Sequence, residues 1–375
     1  MEKIISIEDA LKLTNVRIVD VRSEAEFAEG SIPGAVNIPL FNNEERAQVG
    51  TTYKQIGTEE AKYLGLEIAG PKLSALYNKI SSLGQDKDIV LYCWRGGMRS
   101  KYTTSILNML GLKAARIQGG YKAYRRLINR YLDKPSIPHK SIVLHGLTGV
   151  GKTLILKKLQ HLGLPVLDLE GIARHRGSAY GKIGLPASPS QKDFEANIVE
   201  ILSGAERKGI ILVECESRRV GKLIVPPAVM DSMTKGYRIL LYASMQKRVE
   251  RIIEDYTSGP DSNIESLQYS TSLLKKSLGN KMVEELNQKI AEKRFTEVIP
   301  HLLVHYYDPL YKYPDEPSDN YNLSVNCDDL DRATATINEW IRLLPEYGKP
   351  VDNGGEDDAN RGNSEECADE ERVYF

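Results

Sequence analysis

The chain has 375 residues, 41% of them apolar and 27% charged, with 50 Lys and Arg against 51 Asp and Glu. That length accommodates two domains, and the composition is that of a globular protein rather than a fibrous, disulfide-stapled or wholly disordered one. No stretch approaches the roughly 18 consecutive apolar residues that span a bilayer. The N-terminus lacks the basic-then-apolar pattern of a secretory signal, so no membrane association and a cytoplasmic location are expected. Four cysteines (Cys93, Cys215, Cys327, Cys367) lie far apart with no CxxC pair, which points to reduced thiols.

Over residues 1–132, short apolar runs (VRIVDV, AVNIPL, DIVLYC, AARIQG) alternate with helical stretches at 72–82 and 99–110. The alternation predicts an α/β domain, a mainly parallel sheet with flanking helices. Cys93 closes the run DIVLYC, and WRGGMRS leads from it into the helix near Arg99. A short Gly-bearing loop between a strand end and a helix N-terminus turns backbone N–H groups inward as an anion cradle. Cys93 is therefore the candidate nucleophile, with Trp94, Arg95, Gly96, Gly97 and Arg99 as its anion loop. The cradle and the two arginines favour thiolate over thiol. Such a thiolate attacks sulfur or selenium on an anionic donor, and the cradle holds the persulfide or perselenide.

Two prolines and no periodicity in LDKPSIPHKS mark a linker at 133–140. A second α/β domain is expected over 141–346, with strands at 141–145, 165–168, 209–214, 237–242 and 322–326. A helical insertion is expected near 264–304, where apolar residues recur at helical spacing. GLTGVGKT matches G-x-x-x-x-G-K-[ST] in full, after the strand SIVLH and before the helix TLILKKLQHL. Gly146, Thr148, Gly149, Val150, Gly151, Lys152 and Thr153 are the candidate phosphate-binding residues. The glycines allow close backbone approach, Lys152 brings a point charge, and the Thr153 hydroxyl suits a Mg ion. On these residues the ligand stays open between ATP with Mg and an organic substrate with a diphosphate leaving group.

Farther along, LDLEGIARHRGSAYGKIG gathers Asp168, Glu170, Arg174, His175 and Arg176, and VECESRR gathers Glu214, Glu216, Arg218 and Arg219. Together they form the expected substrate site. Arg248 and Arg251, on the helix after YRILLY, read as phosphate clamps or as a solvated face. Residues 347–375 form an acidic tail expected to be disordered. From 351 onward it carries a net −7, which leaves +6 on residues 1–350.

DVRSEAEFAEGSIPGAVNIP, the cysteine loop and QGGYKAY together resemble the rhodanese family across the first domain. Five residues between Cys93 and Arg99 is the loop length of its sulfur-moving members. With the phosphate loop, NNEERAQVGTTYKQIG, LEGIARHRGSAYG, VECESRRVG and YYDPLYKY, residues 1–346 resemble the tRNA 2-selenouridine synthases. The resemblance implies a rhodanese-like domain followed by a P-loop NTPase-like domain. It implies an enzyme that replaces the sulfur of wobble 2-thiouridine, in the tRNA anticodon loop, with selenium from selenophosphate. It further implies S-geranylation of 2-thiouridine from geranyl diphosphate, with the geranylthio group leaving as selenium enters.

On that reading the phosphates at Lys152 are those of geranyl diphosphate, the use of ATP stays open, and Cys93 handles the selenium. A selenophosphate-producing enzyme is then an expected partner. The segment from Arg116 to Lys140 offers Lys122, Arg125, Arg126 and Arg130 to tRNA phosphates, and Tyr121, Tyr124 and Tyr131 for stacking. A solvated basic helix face is the alternative. The chain departs from the family at Trp94, where many relatives are small, and in its acidic tail. The competing function is a rhodanese-type sulfurtransferase with an ATP-binding regulatory P-loop domain.

Overall fold

The computed structural model describes residues 3–84, 87–178, 180–257 and 263–351. The tail expected to be disordered from 347 is corrected at its start: the Gly348 N–H donates to the Lys208 carbonyl at 3.0 Å and that of Val351 to the Glu206 carbonyl at 2.8 Å. Residues from 352 onward, Cys367 included, lie outside the described residues. Among the described residues no helix is long and apolar enough to cross a membrane. The chain folds as two compact units, one of residues up to 131 with 190–196, the other of 132–189 with 197 onward.

In the first unit, β1 (Lys3–Ile5), β2 (Val16–Asp20), β3 (Val36–Asn37), β4 (Asp88–Tyr92) and β5 (Ala114–Ile117) form one sheet in the order β1-β5-β4-β2-β3. Every pairing is parallel. Central β4 is buried from Ile89 to Tyr92, which is why its sequence is a continuous apolar run rather than an alternating one. β1 was not expected. It is short and largely exposed, and its strand state comes from pairing with β5, not from any pattern of its own.

The Asp-Val-Arg sequence at the end of β2 is a structural device. Asp20 and Arg22 are both fully buried and joined by a forked ion pair, with Arg22 Nη2 2.6 Å from Asp20 Oδ2. The same nitrogen donates to the Gly30 carbonyl at 2.7 Å, and the guanidinium lies 4.1 Å from the centre of the Tyr121 ring. Removing one partner of such a buried pair strands the other, at a cost of about 3–5 kcal/mol. Tyr121 and Tyr124 are accordingly core residues of helix Gly120–Leu132. The expectation that they stack on RNA is corrected: the inward face of an amphipathic helix claims them.

In the second unit, β6 (Lys140–His145), β7 (Val166–Leu167), β8 (Ile210–Glu214), β11 (Tyr237–Tyr242) and β12 (Leu323–Asn326) form a parallel sheet in the order β12-β11-β6-β8-β7. These are the five expected strands, and with the first sheet they bear out the α/β reading of both halves. An antiparallel pair, β9 (Arg219–Val220) with β10 (Leu223–Ile224), was missed because two residues carry no period. Ile142, Leu144, Leu212, Ile239 and Leu241 pack with Ile155, Leu159, Ile337 and Ile341 to make the core.

The insertion between β11 and β12 is helical as expected, with main helices Asn263–Ser272, Asn280–Ala291 and Phe295–Leu302. Their buried apolar residues form a separate cluster that includes Tyr180 and Tyr307. In open parallel sheets, ligands gather beyond the carboxyl ends of the strands. Here Cys93 follows β4, Gly146 follows β6, Asp168 follows β7, and Glu214 ends β8.

Candidate active site

Around Cys93 three of the loop's backbone carbonyls are held by donors from the strand and helix that follow. The Tyr121 N–H donates to the Cys93 carbonyl at 2.9 Å, the Lys122 N–H to that of Trp94 at 2.9 Å, and the Arg116 guanidinium to that of Gly96. A trans peptide sets the C=O of one residue antiparallel to the N–H of the next. The N–H groups of Trp94, Arg95 and Gly97 therefore face away from those donors, the orientation that an anion cradle requires. Gly120 permits this: its φ is 55°, and a Cβ there would sit 2.2 Å from the Cys93 carbonyl oxygen.

Cys93 itself is buried, with Ser100 Oγ 3.2 Å from its Sγ. Arg99 is corrected as an anion ligand. It is 3% exposed and forks onto Glu26, with Nη1–Oε2 at 2.6 Å and Nη2–Oε1 at 3.1 Å. Burial works against the Glu26 carboxylate, yet the Arg99 hydrogen bonds and charge hold it below the usual carboxylate range. Glu26 and Ser100 were missed as neighbours of the nucleophile. Glu26 stands in the quoted Glu-Phe motif, but nothing in its local pattern shows that it reaches across 73 residues. Arg95 is exposed, and Trp94 packs its ring 5.7 Å from that of Tyr121.

The phosphate loop is built on the same principle. Arg248 Nε donates to the Thr148 carbonyl at 2.8 Å, and Arg251 Nη1 to that of Val150 at 2.9 Å. The N–H groups of Gly149 and Gly151 are thereby turned to the opposite side. Arg248 is buried and its fork closes on Asp308, at 2.5 and 3.0 Å. Neither reading of the two arginines survives. They are not free to clamp phosphate and they are not a solvated face; they brace the loop. Lys152 opens helix Lys152–His161, and its ammonium donates to the carbonyls of Gly146 and Leu147 at 2.8 and 3.3 Å. Thr153 follows it on the helix, half-buried.

Facing Lys152 are three carboxyl groups. Glu214 is buried, its Oε1 accepting the Glu170 backbone N–H at 2.9 Å while its Oε2 has no hydrogen-bond partner. Glu170 and Glu216 hydrogen-bond each other, and both lie against Gly177. With φ of 61° and Glu170 Oε1 only 2.6 Å from where a Cβ would stand, position 177 accommodates glycine alone. Burial, then the charge of Glu216, pushes the Glu170 carboxyl up to about 8, against the pull of Lys152. Burial also raises Glu214 and Glu216 and lowers Lys152. Among the described residues no set of three His, Cys, Asp or Glu side chains converges as a metal site. A Mg ion here would draw on Thr153 and on the ligand's own phosphate oxygens, the usual manner of Mg at phosphate sites.

The rest of the expected substrate site divides. Asp168 caps helix Leu169–Ala173 through the Gly171 N–H at 2.7 Å. His175 is buried, with Nδ1 accepting the Gly177 N–H at 3.1 Å; burial lowers its pKa. Arg176 donates to the Ile183 carbonyl and lies 5.1 Å from the centre of the Tyr256 ring. Arg174, Arg218 and Arg219 are exposed, Arg174 reaching the Ala187 carbonyl. His175 and Arg176, expected in the substrate site, thus make contacts that shape their own loop. On helix Gly120–Leu132, Lys122, Arg126 and Arg130 are exposed, whereas Arg125 is paired with Glu195 at 2.5 Å.

Comparison with known proteins agrees with this division. Residues 6–127 match the rhodanese-like domain and residues 139–340 match the tRNA 2-selenouridine synthase AAA domain. A tRNA 2-selenouridine synthase of Nitrosomonas europaea is 40% identical over 259 residues, covering 67% of each chain. Those of Nitrosomonas eutropha and Chromohalobacter salexigens are 35% and 33% identical, covering 80% and 88% of this chain and 89% and 95% of theirs. A chain matched over nearly its whole folded length, with both domains in order, belongs to the tRNA 2-selenouridine synthase family.

Proposed function

We propose that this enzyme exchanges the sulfur of wobble 2-thiouridine in tRNA for selenium in two steps, one served by each loop. At the Lys152 loop the C1–O bond of geranyl diphosphate breaks and diphosphate leaves with the electron pair. The 2-thiouridine sulfur forms the new bond to C1, and the N3 proton is released. In the second step water breaks the P–Se bond of selenophosphate and leaves inorganic phosphate. The selenide forms the bond to carbon 2 and its proton returns to N3, and geranylthiolate leaves carbon 2 with the electron pair. Cys93 handles the selenium that selenophosphate supplies, and an enzyme that makes selenophosphate is the partner upstream.

The observation that carries the reading is that one chain holds two loops whose carbonyls are braced in the same way, one beginning on a cysteine and the other ending on a lysine. Inward N–H groups and an ammonium stabilise a departing diphosphate. Glu170, neutral near pH 7 at its raised pKa, adds no negative charge to repel it.

The test offers 2-thiouridine tRNA with geranyl diphosphate, with selenophosphate, and with both, followed by mass analysis of the nucleosides. Geranylated product is expected from the first and selenated product from the last, without ATP. Cys93→Ala should retain geranylation and lose selenation, and Lys152→Ala should lose geranylation by at least a hundredfold. Product that forms only with ATP would favour a kinase-like use of the phosphate loop, and no geranylated or selenated product would remove the reading in favour of the sulfurtransferase.

A further inference from the structure

We infer that the helical insertion of the second unit is the chamber for the apolar chain of the ligand whose phosphates the Lys152 loop holds. The inference rests on reading that ligand as geranyl diphosphate, and adds where its ten-carbon chain goes and what meets its reacting end. A narrow cavity, of about 50 Å³ and open at one end, lies between Thr148 of the phosphate loop and helices Asn280–Ala291 and Phe295–Leu302, and a ten-carbon chain would have to part its walls to enter. Apart from Thr148 and the hydroxyls of three tyrosines, its lining is aliphatic or aromatic, Phe295 and Ile299 included. Ile252, also in the lining, packs against Gly149, so the apolar wall begins at the loop itself.

A nucleoside bound there would lose the water around its base and ribose without gaining polar partners, which disfavours it. A hydrocarbon chain gains roughly fourfold in affinity for each methylene buried. A ligand that is phosphate at one end and hydrocarbon at the other fits both halves.

Three tyrosines line the same cavity. The Tyr180 ring stands 6.2 Å from Tyr256 and 6.5 Å from Tyr307. Their hydroxyls are tethered, Tyr180 to Thr271 at 2.8 Å and the other two to Ser178. Burial pushes all three phenols above their ordinary range, Tyr180 to about 12. They remain neutral and so do not compete with the tRNA sulfur as phenolate nucleophiles. An aromatic ring attracts positive charge, which is what C1 of an allylic diphosphate develops as the C–O bond breaks. Tyr180 belongs to the same string as Glu170, so one segment joins the carboxyl group facing Lys152 to the aromatic lining.

The experiment uses the full chain and a geranyl diphosphate analogue with a photoreactive diazirine at the end of its chain. Labelled peptides are expected from residues 280–303. In parallel, Phe295→Trp, a half-buried position that leaves the core intact, should raise the KM for geranyl diphosphate at least tenfold while five-carbon dimethylallyl diphosphate changes less. Phe295→Ala should shift preference toward fifteen-carbon farnesyl diphosphate. Inorganic diphosphate should bind both variants as it binds the parent, which verifies the fold. If the parent geranylates tRNA but labelling falls elsewhere and both variants keep its KM and chain-length order, the chamber is overturned alone. A parent that transfers no prenyl group and takes no label overturns the diphosphate reading and the chamber with it.

Discussion

Glu170 holds its proton because three circumstances coincide: burial, a second carboxyl group in hydrogen-bond contact, and a glycine that lets both approach. Its carboxyl group, raised from the ordinary 4.5 to about 8, binds a proton that the unfolded chain releases. The sign follows from linkage. The contribution to stability is complete below the unfolded pKa, declines as pH rises, and is gone once pH passes the folded value near 8. Ligand-free protein should therefore melt at a lower temperature at pH 9 than at pH 5. Glu170→Gln, uncharged at every pH, should flatten that slope in thermal melts across the same range. A slope unchanged in the variant would assign the proton elsewhere in the cluster.

At the scale of elements, the helix Met245–Thr257 works as a splint for the phosphate loop. A clamping arginine would affect only the ligand-bound protein, whereas a bracing one also stabilises the free protein. Arg248→Lys keeps the charge but cannot reach the Thr148 carbonyl and both oxygens of Asp308 with one planar fork. It should lower the melting temperature of the ligand-free chain and weaken inorganic diphosphate binding about tenfold by calorimetry, an estimate in keeping with one charge-assisted hydrogen bond lost. Unchanged ligand-free stability would return Arg248 to the role of clamp. Here the limits of legibility in the sequence are plain. GLTGVGKT and DIVLYC show themselves through runs and spacing, because central parallel strands must be apolar and the loops after them must turn. That Arg248 points at a carbonyl, Arg99 at Glu26 and Tyr121 into the core depends on which face of a helix meets which neighbour. A charged or aromatic letter does not carry that information.

For the molecule as a whole, the tail's net −7 conceals a basic body of +6, and the structure narrows which basic residues are available to a polyanion. On helix Gly120–Leu132 Tyr121 and Tyr124 face inward, Tyr131 is half-buried and Arg125 is committed to Glu195, leaving Lys122, Arg126 and Arg130 on the exposed side. With Tyr121 and Tyr124 buried and withheld from stacking, phosphate contact is the contribution we propose for this surface. Each phosphate neutralised adds roughly 0.7–0.9 to the slope of log K against log salt. Replacing Lys122, Arg126 and Arg130 together by alanine should weaken tRNA binding at low salt and reduce that slope by about 2, an upper range set by three contacts. Geranyl diphosphate should still bind, because its site is built from other residues. Arg125→Ala serves as the contrast: it should destabilise the fold by opening a half-buried ion pair while leaving the salt slope close to that of the parent. Filter binding of 2-thiouridine tRNA from low to physiological salt distinguishes the two outcomes, and an unaltered slope in the triple variant would move the tRNA surface off this helix.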